Sequence, residues 1–368
     1  MHGINEGTVP DKVYIIAEAG SNHNGELSVA YELVDMAAEA GADAIKFQFF
    51  KAASLYPRNV GTVSLPGGSV DLFDLFVQLE MDSEWLQLLL SRARTRHIDM
   101  LCSVFDESGA EFVNTVGVTA HKIASPELAH LPLIRAVAQF GKPAFASTGL
   151  ATLGDVDEAV RTWYSHTTQP LTLMHCVTAY PTPEGDANLA VIQTMHACFG
   201  VEVGLSDHTT DSEAAPVLAT ALGASAIEKH VTLSRSAPGP DHFFAQEPED
   251  LRRMVLSVRA VAALPKEERY AVALSLLGKE RSSVLLGSPV KRITPSEAPL
   301  YPGDRRSIHA LRDLKEGDVL SCDNMAVLRS ERNLSPGLHP RYWDLLQKRT
   351  LTRPISAGVG ITWEVLLS

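Results

Sequence analysis

Apolar residues along this chain fall into short runs, and most runs are followed by a stretch that is apolar at helical spacing. Residues 13–18, 44–49, 100–103, 122–123, 143–147, 171–175, 203–206 and 226–230 read as strands. Residues 28–40, 83–96, 128–140, 153–164, 189–199, 212–222 and 248–263 read as helices, because their apolar positions recur on one face of a 3.6-residue period. Gly41 is a natural stop for the first helix, Ser83 a natural cap for the second, and Gly141-Lys142-Pro143 breaks the third. A longer connection over 51–82 contains Pro57, Pro66 and Gly67-Gly68.

Eight strand–helix units in about 265 residues predict an α/β fold, a (β/α)8 TIM barrel. The competing architecture is a doubly wound sheet, which usually offers a glycine-rich phosphate loop after its first strand. Here that position reads Gly20-Ser21-Asn22-His23-Asn24-Gly25, which is not GxGxxG. After Leu277 the pattern changes. Pro289, Pro295, Pro299 and Pro302 punctuate a linker arm over 279–304. Short β-like runs and turn signals then predict a small β-rich module over 305–368, so the barrel domain is assigned to 1–278.

The chain has 368 residues, 45% hydrophobic and 21% charged, which suits a packed globular protein rather than a disordered one. Its 32 basic against 44 acidic residues leave a net charge of −12, so nucleic acid is not an expected partner. No window approaches ~18 uninterrupted apolar residues, so no membrane span is expected. The start, Met1 to Glu6, lacks the basic-then-apolar build of a signal peptide. Cys102, Cys176, Cys198 and Cys322 are scattered without a CxxC, and read as reduced thiols of a cytoplasmic protein.

Chemistry in such barrels sits at the C-terminal ends of the strands. Each predicted strand here ends at or near reactive groups: Glu18; Lys46 and Gln48; Ser103; Lys122 and Ser125; Ser147; His175, Thr178 and Tyr180; Ser206 and His208; Glu228 and His230. One such residue is usually just a satisfied polar group. The whole set predicts a ring of polar side chains around one mouth. His208 and His230, on neighbouring strands, can share a divalent cation with positions open to water and substrate, or each can simply orient a neighbour. Lys46 and Lys122, with the serines, make an anion cradle; alternatively one lysine forms a Schiff base in an aldolase or lyase. Pro238-Gly239-Pro240-Asp241 is a stiff loop that holds Asp241 over the mouth, or only a rigid turn.

Several stretches carry a resemblance: Ile15–Gly25, Gly41–Gln48, Lys122-Ile-Ala-Ser125, Ser147-Thr-Gly149, Tyr180-Pro-Thr-Pro183, Ser206-Asp-His-Thr209, Glu228-Lys-His230 and Pro238–Asp241. In the tail they are Arg305-Arg-Ser307, Asp313–Gly317 and Asp323-Asn324. In this order the chain resembles the sialic acid synthase family, whose members condense phosphoenolpyruvate with an amino-sugar aldose, and the tail is similar to the family's antifreeze-like (SAF) domain. The resemblance implies a (β/α)8 barrel with that tail in a domain-swapped homodimer, each tail covering the partner's mouth.

It further implies that His208 and His230 hold the metal, most often Mn²⁺, with Mg²⁺ or Co²⁺ as alternatives. Lys46, Ser103, Lys122, Ser125, Ser147 and Ser206 would bind phosphoenolpyruvate. Gln48, Thr178, Tyr180, Asp241 and Arg329 would face the acceptor sugar, and Glu18 and Glu228, with Lys46 and Lys122, would be catalytic. Three positions depart from the family's pattern: Thr178 stands where it usually has Asn, Ser103-Val104 where it has Thr-Pro, and Arg329-Ser330-Glu331 where it has Arg-Pro-Gly. The acceptor therefore stays open between N-acetylmannosamine and a legionaminic-type, pseudaminic-type or other specialised sugar. A non-catalytic sugar-binding protein is the reading from a different class.

Overall fold

A computed structural model describes residues 12–65, 68–331 and 333–367. Met1 to Glu6, Pro66, Gly67 and Arg332 lie outside the described residues. The strands are β1 (Tyr14–Gly20), β2 (Ala44–Phe49), β3 (Thr62–Leu65), β4 (Gly68–Asp71), β5 (Asp99–Val104), β6 (His121–Ile123), β7 (Ala144–Ser147), β8 (Leu171–Cys176), β9 (Val203–Asp207), β10 (Ala226–His230), β11 (Arg306–Ala310) and β12 (Met325–Arg329). All but β3, β4, β11 and β12 close into a parallel barrel in the order β1-β10-β9-β8-β7-β6-β5-β2. The eight expected strands are the eight barrel strands.

Alternation along each strand sorts residues between the barrel's interior and its helical coat. Phe47, Cys102, Ile123 and Ile227 point outward into the main core, with Leu33, Leu89 and Val258 from the helices. Burying one such large side chain contributes about 1.5–3 kcal/mol. Their neighbours in sequence, Lys46, Ser103, Lys122 and Glu228, therefore face inward. Below them the interior is plugged by Ile16, Ala44, Leu101 and Ala120, with Tyr14 stacked on Phe145. The plug gives the polar residues a floor and one open end.

Several local details differ from expectation. The second long helix, Ser83–Thr95, is capped by Asp82, whose carboxylate accepts from Glu84 N at 3.0 Å, rather than by Ser83. The helix expected over 128–140 begins at Leu131, after a 3-10 turn over Ser125–Ala129. Pro132 sits in its first turn, where a missing N–H costs nothing. Helices Leu72–Gln78 and Glu107–Val116 and the hairpin β3–β4 were not foreseen. Within 279–304, Lys279–Leu286 is helical and Leu285 joins the barrel core. The tail builds its own core from Ile308, Leu320, Val327, Leu346, Leu351 and Ile361 around antiparallel β11 and β12. Among the described residues no helix is long and apolar enough to cross a membrane, and all four cysteines are free.

Candidate active site

Inward-facing charges at the ends of β1, β2, β6 and β10 form one buried network. Lys46 Nζ lies 2.6 Å from Glu18 Oε2 and 3.8 Å from Glu228 Oε2, and donates to Ser103 Oγ at 3.0 Å. Lys122 Nζ donates to Glu228 Oε1 at 2.9 Å, and Ser206 Oγ donates to the same oxygen at 2.9 Å. Gln48 Nε2 donates to Glu18 Oε1 at 2.8 Å. Desolvation alone would lift the Glu228 carboxyl, but Lys122 and Lys46, with the Ser206 hydroxyl, pull it down to about 2. Burial works against the charged form of Lys46, yet the flanking carboxylates hold its pKa above the ordinary lysine value. Lys122 goes the other way: burial and the nearby Lys46 charge outweigh Glu228.

A second group lies at the ends of β6, β7 and β8. Gly149 N donates to Ser125 Oγ at 3.0 Å. A Cβ on Gly149 would sit 2.2 Å from Thr178 Oγ1 and 2.9 Å from Ser125 Oγ, so only glycine lets these loops meet. Ser147 Oγ and Thr178 Oγ1 are buried without a hydrogen-bond partner. Buried hydroxyls seldom stay unpaired. Ser147 and Thr178 are therefore left with hydrogen-bonding capacity that no protein group meets.

His208 and His230 face each other with ring centroids 5.3 Å apart. His208 Nδ1 is bound to Val177 O at 2.9 Å, which leaves Nε2 for another partner. His230 Nδ1 is buried and unpartnered, 3.8 Å from Asp241 Oδ2. Burial, with the positive surroundings of His208 and Lys46, keeps His230 far below the ordinary histidine value and hence neutral, the form that ligates metal. Tyr180 lies 4.4 Å from His208 and Phe244 5.0 Å from His230, and the two aromatic rings meet each other at 5.4 Å. No group of three His, Cys, Asp or Glu side chains among the described residues is placed to hold a metal. His230 offers a free nitrogen, and His208, whose pKa burial would lower but the neighbouring Cys176 raises, would offer its Nε2 on losing its proton, so the pair fits a cation whose other ligands are water and substrate. Asp241 is brought over the mouth as expected: a Cβ on Gly20 would meet Gln48 Nε2 at 3.3 Å, Glu18 Oε1 at 3.4 Å and Asp241 Oδ2 at 3.7 Å. Desolvation and the Glu18 charge push the Asp241 carboxyl up to about 6.

The tail reaches the rim. Arg329 Nη2 donates to Glu127 Oε1 at 2.6 Å, and its guanidinium lies 5.8 Å from the Tyr56 ring. Arg306, fully buried, donates to the same Glu127 oxygen at 3.0 Å and to the carbonyls of Ser54, Phe105 and Val327. Within one chain the tail meets its own barrel's rim at the loops after β2, β5 and β6. Two arginines that must be buried need a carboxylate, and Glu127 on the same chain supplies it.

Glu127 and Arg306 were not singled out from sequence. The signal was present in Ser125-Pro126-Glu127, two residues beyond a chosen serine, but nothing in one sequence says that it would meet the tail. Lys229 and Asp207, interleaved with site residues, face outward instead, where Lys229 Nζ pairs with Asp207 and donates to Thr209 O and Asp211 O, each at 2.7 Å. A cleft of about 660 Å³ at the barrel–tail junction, lined by Ser54, Asp106, His130 and Trp343 among others, contains none of the site residues.

Residues 33–269, most of the barrel, match the NeuB family, and residues 305–367 match the SAF domain. The chain belongs to the NeuB family. This NeuB-family chain is 40% identical over 358 residues to the spore coat polysaccharide biosynthesis protein SpsE of Bacillus subtilis, covering 96% of this chain and 94% of that one. The crystal structure of the same Bacillus protein superposes with a TM-score of 0.82 at 39% identity, over 97% of this chain and 95% of that one. The N,N'-diacetyllegionaminic acid synthase of Legionella pneumophila is 34% identical over 95% of this chain and 94% of its own. The N-acetylneuraminic acid synthetase of Leptospira borgpetersenii, solved with citrate, shares 31% identity and a TM-score of 0.63 over 74% of this chain and 94% of that one.

Proposed function

We propose that this NeuB-family protein condenses phosphoenolpyruvate with an amino-sugar aldose to give a sialic-acid-like 3-deoxy-2-keto sugar acid and phosphate. The observation that carries the reading is the buried Lys46–Glu18–Glu228–Lys122 network beside two unpartnered hydroxyls, Ser147 and Thr178. Two ammonium groups and a ring of hydroxyls suit a donor bearing both carboxylate and phosphate. Full-length similarity to a legionaminic acid synthase supports an acceptor of that general kind.

Roles follow from position. Lys122, Ser125 and Ser147 hold the phosphate, and Thr178, expected at the acceptor, joins them because its hydroxyl lies with that of Ser125 against Gly149; Lys46 and Ser103 hold the carboxylate end. Glu228, kept ionised between two lysines, orients the water that adds at C2 and takes its proton. Glu18, bonded by Gln48, fixes the acceptor side of Lys46. Tyr180 and Asp241 orient the acceptor hydroxyls, and Arg329 reaches its substituents from the tail. A divalent cation, Mn²⁺ by family resemblance, held by His208 and His230 would supply Lewis-acid polarisation of the acceptor aldehyde. C3 of phosphoenolpyruvate forms the new bond to that carbon, water supplies the new oxygen at C2, and phosphate leaves with the bridging oxygen.

The reading carries a homodimer; sedimentation of the intact protein as a monomer would remove that part of it. The test is phosphate release from phosphoenolpyruvate with Mn²⁺ and a panel of aldoses: N-acetylmannosamine, its 6-phosphate, and 2,4-diacetamido hexoses. Release with at least one member is expected. Silence across the panel overturns the reading, and a borohydride-trapped pyruvate adduct would replace it with Schiff-base chemistry.

A further inference from the structure

Between barrel and tail, Glu297 is fully buried. Its Oε1 accepts from Leu150 N at 2.8 Å and Thr178 N at 3.0 Å. Its Oε2 accepts from Thr294 N at 3.0 Å and Thr294 Oγ1 at 3.1 Å. Four donors converge on one carboxylate. A glutamine would turn N–H groups against donors, so the site demands an acid. Buried charge without such bonds is costly, and here the bonds are charge-assisted. Lys291 is buried on the same segment, near enough for the two charges to interact.

What Glu297 grips is the floor of the phosphate cradle. Leu150 follows Gly149 and has φ +53°, a left-handed conformation that a leucine keeps only when its surroundings impose it. Thr178 carries one of the two orphan hydroxyls, and Gly149 N holds Ser125 Oγ. One carboxylate oxygen thus binds the loops after β7 and β8 to each other at the point where they nearly collide. A threonine at 178 has a short reach, so the placement of its backbone decides whether its hydroxyl meets a ligand.

We propose that Glu297 is a positioning residue for the donor phosphate: it acts through the Leu150 and Thr178 amides to set the spacing of the Ser125, Ser147 and Thr178 hydroxyls. The segment over 289–304 is then part of the donor site and not only a connector. This inference rests on the donor reading given above.

The test is calorimetric titration of phosphoenolpyruvate into the full-length protein and its Glu297→Ala, Glu297→Gln and Arg292→Ala variants, with melting temperatures measured alongside. Arg292 is exposed on the same segment and serves as the control. Glu297→Ala is expected to weaken binding by roughly tenfold or more, Glu297→Gln by a smaller factor, and Arg292→Ala not at all. In turnover, Glu297→Gln is expected to raise KM for phosphoenolpyruvate while leaving the acceptor KM within about twofold. Wild-type affinity in Glu297→Ala, or in Glu297→Gln should the alanine variant not fold, overturns the proposal even if the melting temperature falls. Absence of binding by the wild-type protein would instead remove the donor reading on which it rests.

Discussion

At the ends of β1, β2, β6 and β10, Lys46, Lys122, Glu18 and Glu228 are locked to one another by ion pairs between strands whose register is fixed. At the rim, Tyr180, Asp241 and Arg329 arrive on two loops and a separate module, and Arg329 is held by Glu127 rather than by a strand neighbour. The inner half is pre-organised before any ligand enters. Its residues owe their positions to barrel alternation. The rim owes its geometry to how a loop or a tail happens to dock. Chemistry common to a family belongs in the first kind of region, and selectivity between acceptors belongs in the second.

Four experiments break or sharpen that contrast. Glu228→Gln leaves the shape of the inner network but removes the carboxylate between the lysines. Turnover should fall by about 10²–10⁴-fold while the protein remains folded, read by phosphate release and circular dichroism. Lys229→Met tests the outward-facing pair: Asp207 loses its cation, and denaturant unfolding should show a loss of about 3–5 kcal/mol. Adding Asp207→Asn should recover part of that loss, which a direct catalytic role for Lys229 would not produce.

Arg329→Ala should raise the acceptor KM by roughly tenfold and leave that for phosphoenolpyruvate within about twofold. Equal effects on both would dissolve the division into halves. The smallest effect is on the docking of the tail. Burial raises the Asp155 carboxyl, but His339 of the tail, 3.6 Å away, and the hydrogen bonds from Thr152 outweigh it and hold it well below the ordinary range. An acid depressed by folding stabilises the fold above its unfolded value, about 4, and loses that contribution as the pH falls through its folded value. Hydrogen exchange should show the tail loosening below about pH 4, and Asp155→Asn should remove the pH dependence.

The same contrast explains what was legible in the sequence. Lys46, Ser103, Lys122, Ser206 and Glu228 were readable because a strand of alternating character ends at each, and strand ends are where such barrels place chemistry. The placement of His208 and His230 at the same mouth was readable for the same reason. Glu297 was not: it lies in a proline-rich stretch with no period, and its partners, Leu150 and Thr178, stand more than a hundred residues away. Glu127 sat beside a recognised serine, yet its role depends on Arg306 and Arg329 meeting it from the tail. Local pattern encodes strand and helix; contacts between a loop and a distant module leave no periodic trace. The expected Ser83 cap failed on a smaller scale, because Asp82, one residue earlier, is as good a cap.

The most direct measurement follows the bridging oxygen. Phosphoenolpyruvate labelled with ¹⁸O between C2 and phosphorus is incubated with the protein, Mn²⁺ and an aldose that supports turnover. The inner network as described, with water added at C2 and carbon–oxygen cleavage, predicts that the label leaves in phosphate, one equivalent for each keto sugar acid formed. Label retained in the sugar acid, or phosphate released without the aldose, would contradict it.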